Sequence, residues 1–197
     1  KILSTMQQKK LFIFTNKIVN QNIDFYLKNS NKLSMSQNIS RINEELNNYF
    51  RQRKTDFILV QGDTLSTFVG ALYGFLNNIK VIHLEAGMRT YDKEHPWPEE
   101  IFRQNISKYA YLHLAMTKKN KENLINEKIR KNNIRVVGNP GIDSMLEIIK
   151  KSKLKIRSEK NKVKYILITI HRKEAINYGL KEFCRNLKKL INKKKNY

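Results

Sequence analysis

The chain has 197 residues, with 39 Lys and Arg against 17 Asp and Glu, a formal net charge of +22 and a hydrophobic fraction of 40%. That apolar content supports a packed core and excludes wholesale disorder. No apolar run approaches the roughly 20 residues of a bilayer-spanning helix, so no membrane partner is expected. The single cysteine, Cys184, excludes an internal disulfide framework. With no basic-then-apolar leader recognisable, a cytoplasmic protein is expected. The basic excess invites a nucleic-acid reading, but the lysines are spread beside Asn and Ile rather than set on one face with stacking aromatics. No specific nucleic-acid partner is expected, although the positive field suits small anionic ligands.

KILSTM (1–6) opens in mid-run without an initiating methionine, so a fragment is expected. YLKNSNKLSMSQN (26–38) reads as a polar loop, and SRINEELNNYF (40–50) as a helix burying Ile42, Leu46 and Phe50. Then strand and helix alternate. DFILV (56–60) leads through Gln61-Gly62-Asp63 to the helix LSTFVGALYGFL (65–76), whose Gly70, Ala71 and Gly74 permit close packing. KVIHL (80–84) ends in Glu85-Ala86-Gly87, and Pro98-Glu99-Glu100 starts a helix to about Tyr109. YLHLAM (111–116) is a strand, KKNKENLINEK (118–128) a helix, IRVVG (134–138) a strand and GIDSMLEII (141–149) a helix.

This alternation predicts an α/β fold with a doubly wound parallel sheet over residues 1–150. The basic segment 151–164 reads as a linker, and YILITI (165–170) begins a second domain over 165–197.

Ligands of open parallel sheets bind beyond the carboxyl ends of the strands. Those ends carry Asp63-Thr64, Glu85-Ala86-Gly87, Gly138-Asn139 and His171-Arg172. Glu99, at the next helix start, adds a third carboxylate to the same cleft, and converging acids shift one another's pKa values and can share acid and base roles. Asp63 reads equally as a helix cap, and Glu99 as an acid facing the helix dipole. Trp97 reads as packing, His113 as a core histidine, and the lysines at 118–121 as a solvated face. Arg172 beside His171 makes a phosphate site. There is no glycine-rich dinucleotide loop, no Walker loop and no spaced Cys/His metal set.

Taken together, Gly62-Asp63-Thr64, Glu85-Ala86-Gly87-Met88-Arg89-Thr90, Pro96-Trp97-Pro98-Glu99-Glu100 with Arg103, Gly138-Asn139 with Ile142-Asp143, and His171-Arg172-Lys173-Glu174 resemble the non-hydrolysing UDP-N-acetylglucosamine 2-epimerase family. Thr5-Met6-Gln7-Gln8 resembles that family's Thr-Gly-Gln-His loop. The resemblance implies a glycosyltransferase-B-like fold of two Rossmann-like domains. It implies interconversion of UDP-GlcNAc and UDP-ManNAc without metal or other cofactor, for surface polysaccharide precursors, by a homodimer when full length. By the same pattern Asp63, Glu85, Glu99 and His171 are catalytic, while Arg103, Arg172 and Gln7 bind substrate. The family's Gly-Thr-Arg-Pro-Glu strand end and its later Ser-Gly-Gly and Gln-Glu segments are missing, and Gln61 replaces the common His before Gly-Asp-Thr. The 197-residue piece alone is therefore expected to be inactive. A hydrolysing relative, a glycosyltransferase of the same fold and a non-catalytic nucleotide-sugar or polyanion binder are the competing readings.

Overall fold

Apolar β-rich runs and amphipathic runs fold in turn into strands and helices in a computed structural model, which describes residues 11–14, 33–152, 168–169 and 179–194. In chain order these are β1 (Leu11–Phe14), α1 (Met35–Phe50), β2 (Phe57–Gln61), α2 (Leu65–Leu76), β3 (Lys80–Ala86), α3 (Glu99–Tyr109), β4 (Leu112–Ala115), α4 (Lys118–Asn126), β5 (Ile134–Val136), α5 (Pro140–Lys151) and α6 (Leu180–Lys194). Backbone contacts divide the chain into two compact units, Lys1–Lys153 and Leu154–Tyr197.

The first unit holds a five-stranded sheet in the order β1-β2-β3-β4-β5, every pair parallel. Right-handed crossovers between successive neighbours carry their helices to one face. Accordingly Ile58, Val60 and Val81 cluster with Ile42, Leu46 and Phe50 of α1, Val69, Ala71 and Tyr73 of α2, and Phe102 and Ile106 of α3. Alternation turns Phe57, Leu59, Ile82 and Leu114 to the opposite face, where they form a second buried cluster. Leu124 of α4 completes a third with Ala86, Ala115 and Ile134.

Local chemistry explains the boundaries. The helix expected from residue 40 begins five residues earlier, inside the expected loop, because Ser34 and Gln37 close a capping box: Ser34 Oγ accepts from Gln37 N and Gln37 Oε1 from Ser34 N. Thr64, not Asp63, caps α2. The small residues of α2 act as expected, since a Cβ on Gly74 would stand 2.5 Å from Val81 Cγ2. Phe102 of α3 stacks on Phe68 of α2 at 4.9 Å between ring centroids. Asn139 caps α5 by accepting from Gly141 N at 2.9 Å, with Pro140 in the first turn. Trp97, expected to pack, is instead 61% exposed. Among the described residues no helix is long and apolar enough to cross a membrane.

In the second unit, α6 is an amphipathic helix. Cys184 on it is exposed and free.

Candidate active site at the carboxyl ends of the strands

β2 ends at Gln61, and Gly62 (φ +76°) turns the chain so that Asp63 stands above the strand end. Gly62 N donates to Leu84 O at 3.0 Å, which ties this turn to the end of β3. There the ladder slips between Leu84 and Ala86, and Glu85 is held at φ +66°. The slip re-aims one side chain. Gln61 Nε2 donates to Glu85 Oε1 at 2.6 Å, and Glu85 Oε2 lies 3.6 Å from the position a Cβ on Gly62 would take. The end of β2 and Glu85 therefore meet as expected.

α3 brings the third acid. Arg103 sits one turn after Glu99; its Nε donates to Asp63 Oδ2 at 2.8 Å, and its Nη2 makes an ion-pair contact with the same oxygen at 2.6 Å. Only a helix start docked against the β2 turn permits that reach, so Glu99 belongs to the same end of the sheet. Glu99 Oε2 is buried and finds no hydrogen-bond donor among the described residues. A buried carboxylate oxygen without a donor is costly unless a proton or ligand group meets it.

Glu100, the second acid of the helix start, is 0% exposed. Burial pushes its pKa up, but hydrogen bonds from Gln104, Thr90 N, Tyr91 N and Arg103 outweigh burial and hold it below the ordinary carboxylate range. Arg89, its side chain 0% exposed, grips Glu127 through two nitrogens at 2.6 and 2.8 Å and also donates to Ser107 Oγ and Met88 O. This fork anchors the segment following Glu85-Ala86-Gly87. Asp92 and Glu94 are exposed loop acids, as their surroundings in the sequence suggest.

Two buried histidines lie under the site. His83 Nε2 donates to Gly62 O at 2.8 Å, supporting the turn that carries Asp63, while its buried Nδ1 has no partner among the described residues. Burial above all lowers its pKa from 6.5 to about 3. His113 is the core histidine expected, with ring nitrogens 2.9 Å from Ser107 O and 3.2 Å from Asn133 O, and burial lowers its pKa too. Both groups take up protons more readily in the unfolded chain, so their contribution is intact above about pH 6.5 and is lost as pH falls below it. Stability should fall by up to about 1.4 kcal/mol per pH unit for each neutral histidine on acidification from pH 6.5, measured by urea denaturation. His83→Asn, which keeps a donor and does not titrate, should flatten that slope; an unchanged slope would place the acid sensitivity elsewhere.

Gln7, His171 and Arg172 lie outside the described residues. The sequence reading missed Gln61 as a donor to Glu85, His83 as the prop of Gly62, and Glu100 as a buried acid. The Glu-x-x-Arg spacing of Glu100 and Arg103 was a signal for the last, since residues three apart face one another on a helix. Among the described residues no group of three or more His, Cys, Asp or Glu side chains is arranged to hold a metal ion. A cavity of about 480 Å³ lined by Asn47, Arg51, Arg53, Tyr73, Asn77 and Ile79 opens at the amino ends of the strands, away from all these acids.

Comparison with known proteins identifies the family. The family described as UDP-N-acetylglucosamine 2-epimerase matches residues 2–197. The UDP-N-acetylglucosamine 2-epimerase of Salmonella borreze is 43% identical over 143 residues, 68% of this chain and 38% of that one. A crystal structure of the UDP-GlcNAc 2-epimerase from Neisseria meningitidis bound to UDP-GlcNAc superposes with TM-score 0.74 at 33% identity, covering 83% of this chain and 47% of that one. The Methanocaldococcus jannaschii UDP-GlcNAc 2-epimerase in complex with UDP-GlcNAc and UDP gives TM-score 0.64 at 31% identity, covering 82% and 45%. The chain thus spans half the length of these relatives or less. The expected α/β, glycosyltransferase-B-like fold holds. On its match over residues 2–197, its strand-end acids and its fold, the chain belongs to the UDP-N-acetylglucosamine 2-epimerase family.

Proposed function

We propose that the protein carrying this chain interconverts UDP-GlcNAc and UDP-ManNAc, with Asp63, Glu85 and Glu99 as the catalytic carboxylates. The observation that carries the reading is the meeting of these acids at one end of the sheet, with Glu99 Oε2 buried and lacking a donor. A carboxylate takes the proton from sugar C2; the C2–H electron pair becomes the C1=C2 bond of a 2-acetamidoglucal as the C1–O bond breaks and UDP leaves with its pair. UDP then adds back to C1 while a second acid delivers a proton to the opposite face of C2. One group must act as base while another acts as acid, and the third can stabilise positive charge developing at C1.

In this reading residues 1–150 form the domain that supplies the acids, 151–164 the basic linker and 165–197 the beginning of a nucleotide-binding domain. His171 and Arg172 serve the diphosphate, and Gln7 the sugar. Arg103 acts on the substrate through Asp63, to which it is bound. The lone cysteine suits a cytoplasmic homodimer that feeds surface polysaccharide synthesis, with no nucleic-acid partner. The full-length protein incubated with UDP-GlcNAc in D2O should place deuterium at C2 and yield UDP-ManNAc. Release of free N-acetylmannosamine would indicate a hydrolase, and no reaction without a separate acceptor would indicate a glycosyltransferase.

A further inference from the structure

Glu100 and Arg103 sit one turn apart on α3, and both are buried. The carboxylate of Glu100 accepts from Thr90 N at 3.1 Å, Tyr91 N at 3.2 Å, Gln104 Nε2 at 2.9 Å and Arg103 Nη1 at 3.3 Å. The remaining nitrogens of Arg103, Nε and Nη2, converge on one oxygen, Asp63 Oδ2. Asp63 Oδ1 accepts from no described residue. A guanidinium is a rigid plane, so holding one edge fixes the direction in which the other points. The backbone at Thr90 and Tyr91 belongs to the segment that follows Glu85-Ala86-Gly87. One buried carboxylate therefore grips both the clamp on Asp63 and the chain leading away from Glu85.

Resting on the epimerase reading above, we propose that Glu100 is a positioning residue: it aligns Arg103 so that the guanidinium immobilises Asp63 Oδ2 and leaves Oδ1 directed to the substrate. Its action is indirect, through Arg103, and the substrate does not touch it. A displacement of about 1 Å at a reacting group can reduce turnover on the order of 10²-fold, so a carboxylate carrying chemistry gains from such a clamp. A charge buried to tie down a loop alone would need the amides of Thr90 and Tyr91 but not the guanidinium of Arg103. The shared guanidinium is what links Glu100 to chemistry.

The test is a double-mutant cycle in the full-length protein, read as C2 deuterium incorporation into UDP-GlcNAc. Glu100→Gln should lower kcat by about 10- to 100-fold with KM nearly unchanged. In an Asp63→Asn background the same change should cost less than about 2-fold, because its target is already gone. Arg103→Lys, which keeps the charge but not the fork, should behave the same way and stands in should Glu100→Gln fold poorly. Equal losses in both backgrounds, or a loss confined to KM, would overturn the proposal. A crystal structure of the Glu100→Gln protein gives an answer independent of turnover. Arg103 displaced from Asp63 supports the clamp; Arg103 still holding Oδ2 through the Nε bond and the Nη2 contact refutes it. Absence of C2 exchange in the unmutated protein would defeat the epimerase reading, and that structure would still decide the clamp.

Discussion

Glu85→Gln in the full-length protein is expected to reduce kcat for C2 exchange by about 10²–10⁴-fold, the usual contribution of a positioned acid or base. Glutamine is nearly isosteric, and its carbonyl oxygen can keep the bond from Gln61 Nε2, so the strand end should survive. What disappears is the capacity to take or give a proton at the second oxygen, the one facing Gly62. Binding should be affected far less than turnover, giving a kcat effect with little change in KM. Glu94→Gln is the matched control, since Glu94 is an exposed acid of the loop that follows β3, and it should leave kcat within about 2-fold, as surface changes usually do. A Glu85→Gln enzyme that retains full exchange would remove Glu85 from the chemistry and leave Asp63 and Glu99 as the only acid and base.

Gly87→Ala is expected to be the most damaging single methyl in the described chain. Gly87 has φ +87°, and a Cβ there would collide with the backbone carbonyl of Asn120 in α4. A left-handed backbone costs an alanine roughly 1–2 kcal/mol, and overpacking against rigid backbone adds about 1–3 kcal/mol. Their sum, about 2–5 kcal/mol, is a large part of the total stability of a domain, about 5–15 kcal/mol. Relief by moving α4 is blocked, because Asn123 Nδ2 donates to Gly87 O at 3.0 Å and Leu124 is fully buried. Gly138 provides the comparison: its φ is +86° but nothing lies within 4 Å of its would-be Cβ, so Gly138→Ala should show only the backbone share. Urea midpoints of the two variants measure the difference. Equal midpoints would mean that α4 does not press on residue 87.

The strands from β2 to β5 and the helices between them were legible in the sequence because short continuous apolar runs alternate with longer stretches of helical character. The start of α1 was hidden by a polar composition, although Ser34 and Gln37 stood at capping-box spacing inside it. β1 was passed over in the sequence, although LFIF (11–14) is as apolar a run as the FILV of β2. At the site, the strand-end rule led to Asp63 and Glu85 without coordinates. It could not separate Glu99 from Glu100. Adjacent positions on a helix point about 100° apart, and which of them turns inward depends on how α3 docks rather than on the residues themselves. The docking separates them: the second acid is buried and bonded, and the first retains an oxygen without a donor among the described residues. The partnership of Gln61 with Glu85 was equally invisible, since it spans 24 residues and depends on the register of β2 against β3.

On the proposed catalytic role of Glu85, its backbone sets stability against activity at one codon. An amino acid with a β-carbon rests uneasily at φ +66°, and a glycine there would relax the turn while deleting the carboxylate. Screening a mutant library for heat resistance alone would thus enrich glycine at 85 and discard the reaction, whereas screening the same library for turnover would keep the strained glutamate. Thermostabilising any member with this loop geometry therefore requires that position to be held fixed from the outset.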